Sequence, residues 1–204
     1  MSDKGYFIIK RGFDTFSSLI GSIITLPVIA MACIAILIDD PSAKPIFKQK
    51  RVGKNCKEFT MFKLRTMKSN AEEELESVMH MNESDGPMFK IKDDPRITKV
   101  GKLLRKTNLD ELPQLWNVVA GNMALVGPRP ALPREVDEFS DYHKKKFIVR
   151  PGITCTWQIA KDRNDIPFEK WIQMDLDYIK NMSPKTDLSI LINTAGSVIG
   201  MTGR

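Results

Sequence analysis

From Thr15 to Ile38 the chain carries no charged residue, and Pro27 stands in the middle of the run. About 24 residues rising about 1.5 Å each would reach roughly 36 Å as a straight helix, longer than a hydrocarbon core of roughly 30 Å. Length alone therefore permits crossing. Pro27, however, lacks an amide proton and crowds the carbonyl four residues back, so the sequence predicts a bend or break into halves of about 12 residues, neither long enough to span. Lys4, Lys10 and Arg11 precede the run, and Lys44, Lys48, Lys50 and Arg51 follow it. Basic residues beside a membrane segment favour the cytoplasmic side, so both ends ask for one face, and the expectation is a re-entrant helical hairpin kinked at Pro27. A kinked single-pass helix is the alternative, because neighbouring groups can re-satisfy the freed carbonyl. A secretory signal fits poorly, since cleavage after Ala30-Met31-Ala32 would leave Cys33 to Ile38 still strongly apolar.

Of the 204 residues, 42% are hydrophobic and 27% charged, a balance that permits a packed core rather than disorder. A net charge of +6 and a pI near 9.2 favour an anionic partner. Beside a membrane segment, anionic lipid headgroups or a phosphorylated small molecule suit that charge better than nucleic acid. The chain also lacks the aromatics interleaved with basic residues that single-stranded nucleic acid would use. Cys33, Cys56 and Cys155 are widely spaced and form no Cys-x-x-Cys pair, so neither a zinc site nor a disulfide framework is indicated. With only His80 and His143 available, any acid, base or nucleophile is expected to be a carboxylate.

Ile46 to Val52 and Phe59 to Leu64, separated by a turn at Gly53, read as a small β-hairpin. Ser69 to Met81, acidic at its start, reads as a solvated helix, and Asn82 to Asp94 as a connecting loop over a site. Ile97 to Lys106 is amphipathic and suits either an interfacial helix or a core-facing one. Further helices are expected over Asp110 to Ala120, Pro133 to Lys146, Phe168 to Lys180 and Asp187 to Ile199. The fold class is therefore α+β and mainly helical, with a re-entrant membrane helix, amphipathic interfacial helices and a small β-hairpin.

Asp110-Glu111-Leu112-Pro113-Gln114 opens a helix in this reading, with Asp110 as an exposed cap and Pro113 in the first turn. Adjacent helical residues point about 100° apart, so one carboxylate can face a phosphorus while the other holds a metal or water. The positive helix end and Arg105 are expected to depress a carboxylate pKa there. Gly127-Pro128-Arg129-Pro130 is a stiff turn that fixes a guanidinium for bidentate phosphate binding. Arg150-Pro151-Gly152 repeats the logic, and Lys63 and Arg65 add cations beyond the hairpin. Each alone is more often structural; together with an acidic pair and a membrane segment they suggest phosphoryl chemistry on an anionic lipid.

The ordered set Lys50-Arg51-Val52-Gly53, Phe62-Lys63-Leu64-Arg65-Thr66-Met67, Asp94-Pro95-Arg96-Ile97-Thr98, Asp110-Glu111-Leu112-Pro113-Gln114-Leu115, Leu125-Val126-Gly127-Pro128-Arg129-Pro130 and Arg150-Pro151-Gly152-Ile153-Thr154 closely resembles the bacterial sugar transferases, the monotopic phosphoglycosyl transferases. The resemblance implies transfer of a sugar 1-phosphate from a UDP-sugar to undecaprenyl phosphate at the cytoplasmic membrane face, with release of UMP. It implies Asp110 as the nucleophile of a covalent phosphosugar intermediate, Glu111 as a ligand of Mg2+, and Arg105 and Arg129 in phosphate handling. Residues 1–40 would be the N-terminal segment and re-entrant helix, and residues 41–204 a cytoplasmic, membrane-associated catalytic domain of a core-only member. Anionic lipids are expected partners, and self-association through amphipathic helices is open. Cys155 stands where many relatives have glycine. The competing reading is a non-catalytic membrane scaffold of a glycan-assembly complex, against which an intact acidic pair argues.

Overall fold

The computed structural model describes residues 3–160 and 165–200. The longest element is helix α1, Asp3–Asp39, which continues through Pro27 as one helical element; the division into two halves expected there is not observed. The helix has two dissimilar faces. Tyr6, Asp14, Ser18, Ile29, Ala32 and Ile36 are buried against the rest of the protein, whereas Phe7, Ile8, Phe16, Ile23, Ile24, Met31, Ile34 and Ile38 are exposed. An uninterrupted apolar surface of this length on one side of a body marks a membrane-associated helix.

Both ends of α1 are fastened to the same body. Near its start, Tyr6 and Lys10 each donate to Asp187 Oδ2 at 2.8 Å, and Arg11 donates to the Val118 and Val119 carbonyls. At its end, Asp39 accepts from the Val100 amide and Asp40 from the Ser69 amide.

Strands β1 (Ile46–Val52) and β2 (Glu58–Leu64) pair antiparallel from Ile46 opposite Leu64 to Val52 opposite Glu58, as the sequence predicts. Asn55 and Cys56, both left-handed, carry the turn. The solvated helix expected over Ser69 to Met81 is mostly turn, with α2 confined to Leu75–Val78 before a 3-10 turn. The Glu73 and Glu74 amides turn back to the Asn70 carbonyl and the Asn70 side chain bonds to Glu74, closing a turn that does not extend into a longer helix. Asp94 and Arg96 pair at 2.7 Å in a buried contact, and Arg96 donates onward to Ala71, tying down the end of the connecting loop.

Helix α3 (Lys99–Lys106) is capped by Thr98, whose hydroxyl accepts from the Gly101 amide. It packs Leu104 into the α1 core with Leu64, while Leu103 stays exposed. Helix α4 (Gln114–Val119) lies along α1 and ends at Gly121, whose φ of +88 turns the chain back. The helix expected over Pro133 to Lys146 is divided into α5 (Pro133–Asp137) and α6 (Asp141–Lys144), because Ser140 caps a new start. Helix α7 (Phe168–Lys180) has the expected bounds, and α8 (Pro184–Ile199) begins three residues early.

A second sheet is present that local pattern does not predict. Strands β3 (Ala124–Val126) and β4 (Gly152–Thr154) pair parallel, with Gly127 and Gly152 facing each other at the crossing. A Cβ on Gly152 would stand 2.1 Å from the Gly127 nitrogen, and one on Gly101 would stand 2.0 Å from the Thr66 carbonyl oxygen. Both obstacles are backbone. Gly101→Ala and Gly152→Ala should therefore each cost about 1–3 kcal/mol in chemical unfolding. A midpoint unchanged in either variant would contradict the close approach.

Candidate active site

Asp110 and Glu111 lie in a 3-10 turn, Leu109–Glu111, between α3 and α4. Asn108, at φ 55, reverses the chain out of α3, and Pro113 at φ −64 leads into α4. Leu109 and Leu112 pack against the cluster that Ile29, Ala32 and Ile36 of α1 form with Leu64 of β2 and Leu104 of α3, which draws the turn onto the core. The expectation of an exposed cap is thereby corrected: Asp110 makes no capping bond and is 8% exposed. Asn117 fixes α4 to the hairpin, accepting from the Phe62 amide and donating to the Thr60 carbonyl.

Cations converge on this turn from three elements. Lys63 of β2 donates to Glu111 Oε1 at 2.8 Å, both side chains being largely buried. Arg51 of β1 is buried and donates to Gln49 Oε1 and the Pro130 carbonyl. Arg129, held in the Pro-Arg-Pro turn, lies over the Trp157 ring at 5.7 Å, and its buried Nε has no partner among the described residues. Trp157 in turn stacks on Trp171 at 4.4 Å. Arg51, Lys63, Glu111, Gln114 and Arg129 line a small open cleft. From the other side, Arg105 of α3 donates to Thr66 Oγ1 at 2.9 Å and acts electrostatically on Asp110.

The two carboxyls are driven in opposite directions. Burial pushes Asp110 up to about 6, against the pull of Lys63 and Arg105 and with the help of the Glu111 charge. This corrects the expectation that Arg105 and a helix end would depress it: Asp110 is not at the start of α4, and desolvation outweighs the cations. Burial also raises Glu111, but Lys63, Arg129 and Arg51 outweigh it and hold this group below the usual glutamate range. Burial, followed by the Arg129 charge, lowers the Arg51 guanidinium to about 10. Adjacent carboxyls with separated pKa values suit divided roles.

Lys63, Arg105, Asp110, Glu111 and Arg129 are thus brought together. Arg65 and Arg150 are placed elsewhere: Arg65 donates to the Lys44 carbonyl and lies over Phe47, while Arg150 donates to the Gly121 carbonyl behind α4. Arg51 and Gln114 were not singled out as site residues by sequence reasoning, although both belong to motifs that were; a buried arginine on a strand gives no signal until its neighbours are known. Two adjacent carboxylates with phosphate-binding cations suit Mg2+, which accepts one or two carboxylates and completes its shell with phosphate oxygens and water. Among the described residues no cluster of three His, Cys, Asp or Glu could hold a metal unaided.

An acidic pair beside a cationic cleft, on a body that carries a long apolar helix, is an arrangement suited to phosphate groups near a membrane. The chain belongs to the bacterial sugar transferase family, whose pattern it matches over residues 5–201. It is 40% identical over 200 residues to a UDP-galactose-lipid carrier transferase of Erwinia amylovora, covering 96% of this chain and 41% of that protein. It is 37% identical over 202 residues to an undecaprenyl-phosphate galactose phosphotransferase of Salmonella typhimurium, with 96% and 41% covered. To the exopolysaccharide production protein ExoY of Rhizobium meliloti it is 33% identical over 193 residues, with 93% and 84% covered. The chain therefore spans about two fifths of the first two relatives and most of the third.

The raised Asp110 carboxyl has a consequence for stability. A carboxyl whose folded pKa lies above its unfolded value, about 3.9, costs stability as pH rises between the two, and the whole cost remains above the folded value. Asp110→Asn should therefore melt higher than the natural protein by on the order of a few °C above about pH 6, and the difference should shrink as pH falls toward about 4. A variant that melts lower at pH 7.5 would show that the cations outweigh burial.

Proposed function

We propose that this protein transfers a sugar 1-phosphate from a UDP-sugar to undecaprenyl phosphate on the cytoplasmic face of a bacterial membrane, releasing UMP. The observation that carries the reading is the buried Asp110 next to Glu111, which itself lines a cleft with Arg51, Lys63 and Arg129. Kinship with proteins named as UDP-galactose-lipid carrier and undecaprenyl-phosphate galactose transferases supports both substrate kinds.

In the first displacement an Asp110 carboxylate oxygen attacks the phosphorus that bears the sugar. The bond from that phosphorus to the bridging oxygen breaks, and its electron pair leaves on UMP. In the second, a phosphate oxygen of undecaprenyl phosphate attacks the same phosphorus and expels the Asp110 carboxylate, restoring the protein. Two displacements let one nucleophile serve a soluble donor and a lipid acceptor in turn. Arg129 and Arg51 neutralise the donor diphosphate, and Arg105 faces Asp110 from the side of α3. Mg2+ held by Glu111 would neutralise phosphate charge in the donor and its leaving group. Catalysis then consists mainly of positioning and charge stabilisation.

In this reading α1 enters the bilayer from the cytoplasmic face and returns to it, bending at Pro27, where the Ile23 carbonyl loses its usual partner. Its attachments to Asp187 at one end and to Val100 and Ser69 at the other support ends that share one side.

UMP release should be seen with at least one UDP-sugar in the presence of undecaprenyl phosphate and Mg2+, and should fall by at least about 1,000-fold in Asp110→Asn. Because the nucleophile must be ionised, kcat/KM should decline as pH falls below about 6 rather than below about 4. Undiminished release by the variant would remove Asp110 from the mechanism. Single cysteines placed at positions 5 and 42 of a variant lacking Cys33, Cys56 and Cys155 should both react with an impermeant maleimide only in inverted vesicles; opposite sidedness would establish a crossing helix.

A further inference from the structure

We propose that Lys63 takes the place of the divalent cation at Glu111 while the site is free of substrate, and passes to a donor phosphate oxygen when metal and diphosphate enter together. The inference rests on the function proposed above. Its starting point is that the Glu111 carboxylate already has a cation on it: Lys63 Nζ stands 2.8 Å from Oε1, within a largely buried pair. A metal ion on either Glu111 oxygen would stand against that ammonium, and the like-charge repulsion within a largely buried pair disfavours holding both.

The charge balance of the cleft points the same way. Arg51, Lys63, Arg105 and Arg129 surround Glu111 and the adjacent Asp110, leaving an excess of two positive charges. A divalent cation alone would raise that excess to four. The diphosphate diester of a nucleotide sugar carries two negative charges, so the metal and the diphosphate as a pair leave the balance unchanged, whereas either alone shifts it by two. Burial makes such shifts expensive. The site is therefore matched to a metal–diphosphate complex and poorly matched to bare metal.

Lys63 is the cation best able to make the exchange. Arg51 is committed to Gln49 and to the Pro130 carbonyl, and Arg129 is held over Trp157 in a proline-flanked turn. The backbone of Lys63 is fixed by the buried Leu64 beside it, but its four-carbon stem can rotate between Glu111 and a phosphate without moving the strand.

Mn2+ provides a probe that needs no turnover, because its free concentration is read directly by electron paramagnetic resonance. With the full chain in detergent, Mn2+ should bind weakly alone and at least about tenfold more tightly with saturating UDP, after correction for Mn2+ held by UDP in solution. Lys63→Met, confirmed as folded by its melting curve, should bind Mn2+ without nucleotide at least about tenfold more tightly than the natural protein. It should also lose most of the gain from UDP, whereas Lys63→Arg should not. Equal Mn2+ affinity with and without UDP in the natural protein, which requires no variant, would overturn the inference, as would unchanged or weaker metal binding in Lys63→Met. If UDP bound but left Mn2+ affinity unaltered, the exchange alone would fall; if UDP did not bind with or without metal, the proposed function would fall with it.

Discussion

Everything near the dyad depends on the packing of α1 against the turn that carries it. Leu109, Leu112 and Trp116 meet Ile29, Ala32, Cys33 and Ile36, so the membrane-associated helix supplies one wall of the core beneath Asp110. Leu64 of β2 and Leu104 of α3 complete that apolar floor, and burial is what raises the Asp110 carboxyl. A membrane helix thus acts here as core. Its charged and hydroxyl residues follow the same logic: Asp14 and Ser18 belong to the buried side, and Arg11 caps the carbonyls at the end of α4.

The separation of the two carboxyls has a structural origin. Glu111 points toward the hairpin and meets Lys63, whereas Asp110 is carried inward with cations only at longer range. Desolvation dominates one and pairing dominates the other, although the residues are neighbours in sequence. In the nucleophilic role proposed for it, a fully neutralised Asp110 would be weaker and a fully exposed one would be hydrated; burial among cations at longer range lies between these limits.

The sequence revealed what depends on local pattern. The two short strand-like runs on either side of the Gly53 turn and the charge-rich run from Phe168 to Lys180 place their elements within about a residue. The three-residue strands β3 and β4 were invisible because so short a segment has no period, and their glycines show their purpose only where two backbones cross. The acidic pair and its cations were legible as residue types, but their partners were not: Lys63 and Glu111 are 48 positions apart. Arg65 and Arg150 looked equivalent to Lys63 and Arg129 in sequence, and only the fold assigns them to the Lys44 and Gly121 carbonyls. Counting basic residues around the apolar run also overstated what lipid can feel, since Lys10 is engaged by Asp187 and Asp14 and Arg11 by α4.

The two-faced character of α1 makes it a phased element. Each residue advances the helix by about 100°, so adding or removing one residue between Ser18 and Ile29 would rotate one end relative to the other by that angle. Asp14 and Ser18 would swing from the protein toward the lipid side, or Ile29 and Ile36 would leave the floor of the dyad. Substitutions among the outward residues that keep their apolar character leave this phase intact. The helix can therefore vary widely in composition along its outer side, yet its length in residues between these two buried groups is fixed by angle rather than by the thickness of any membrane.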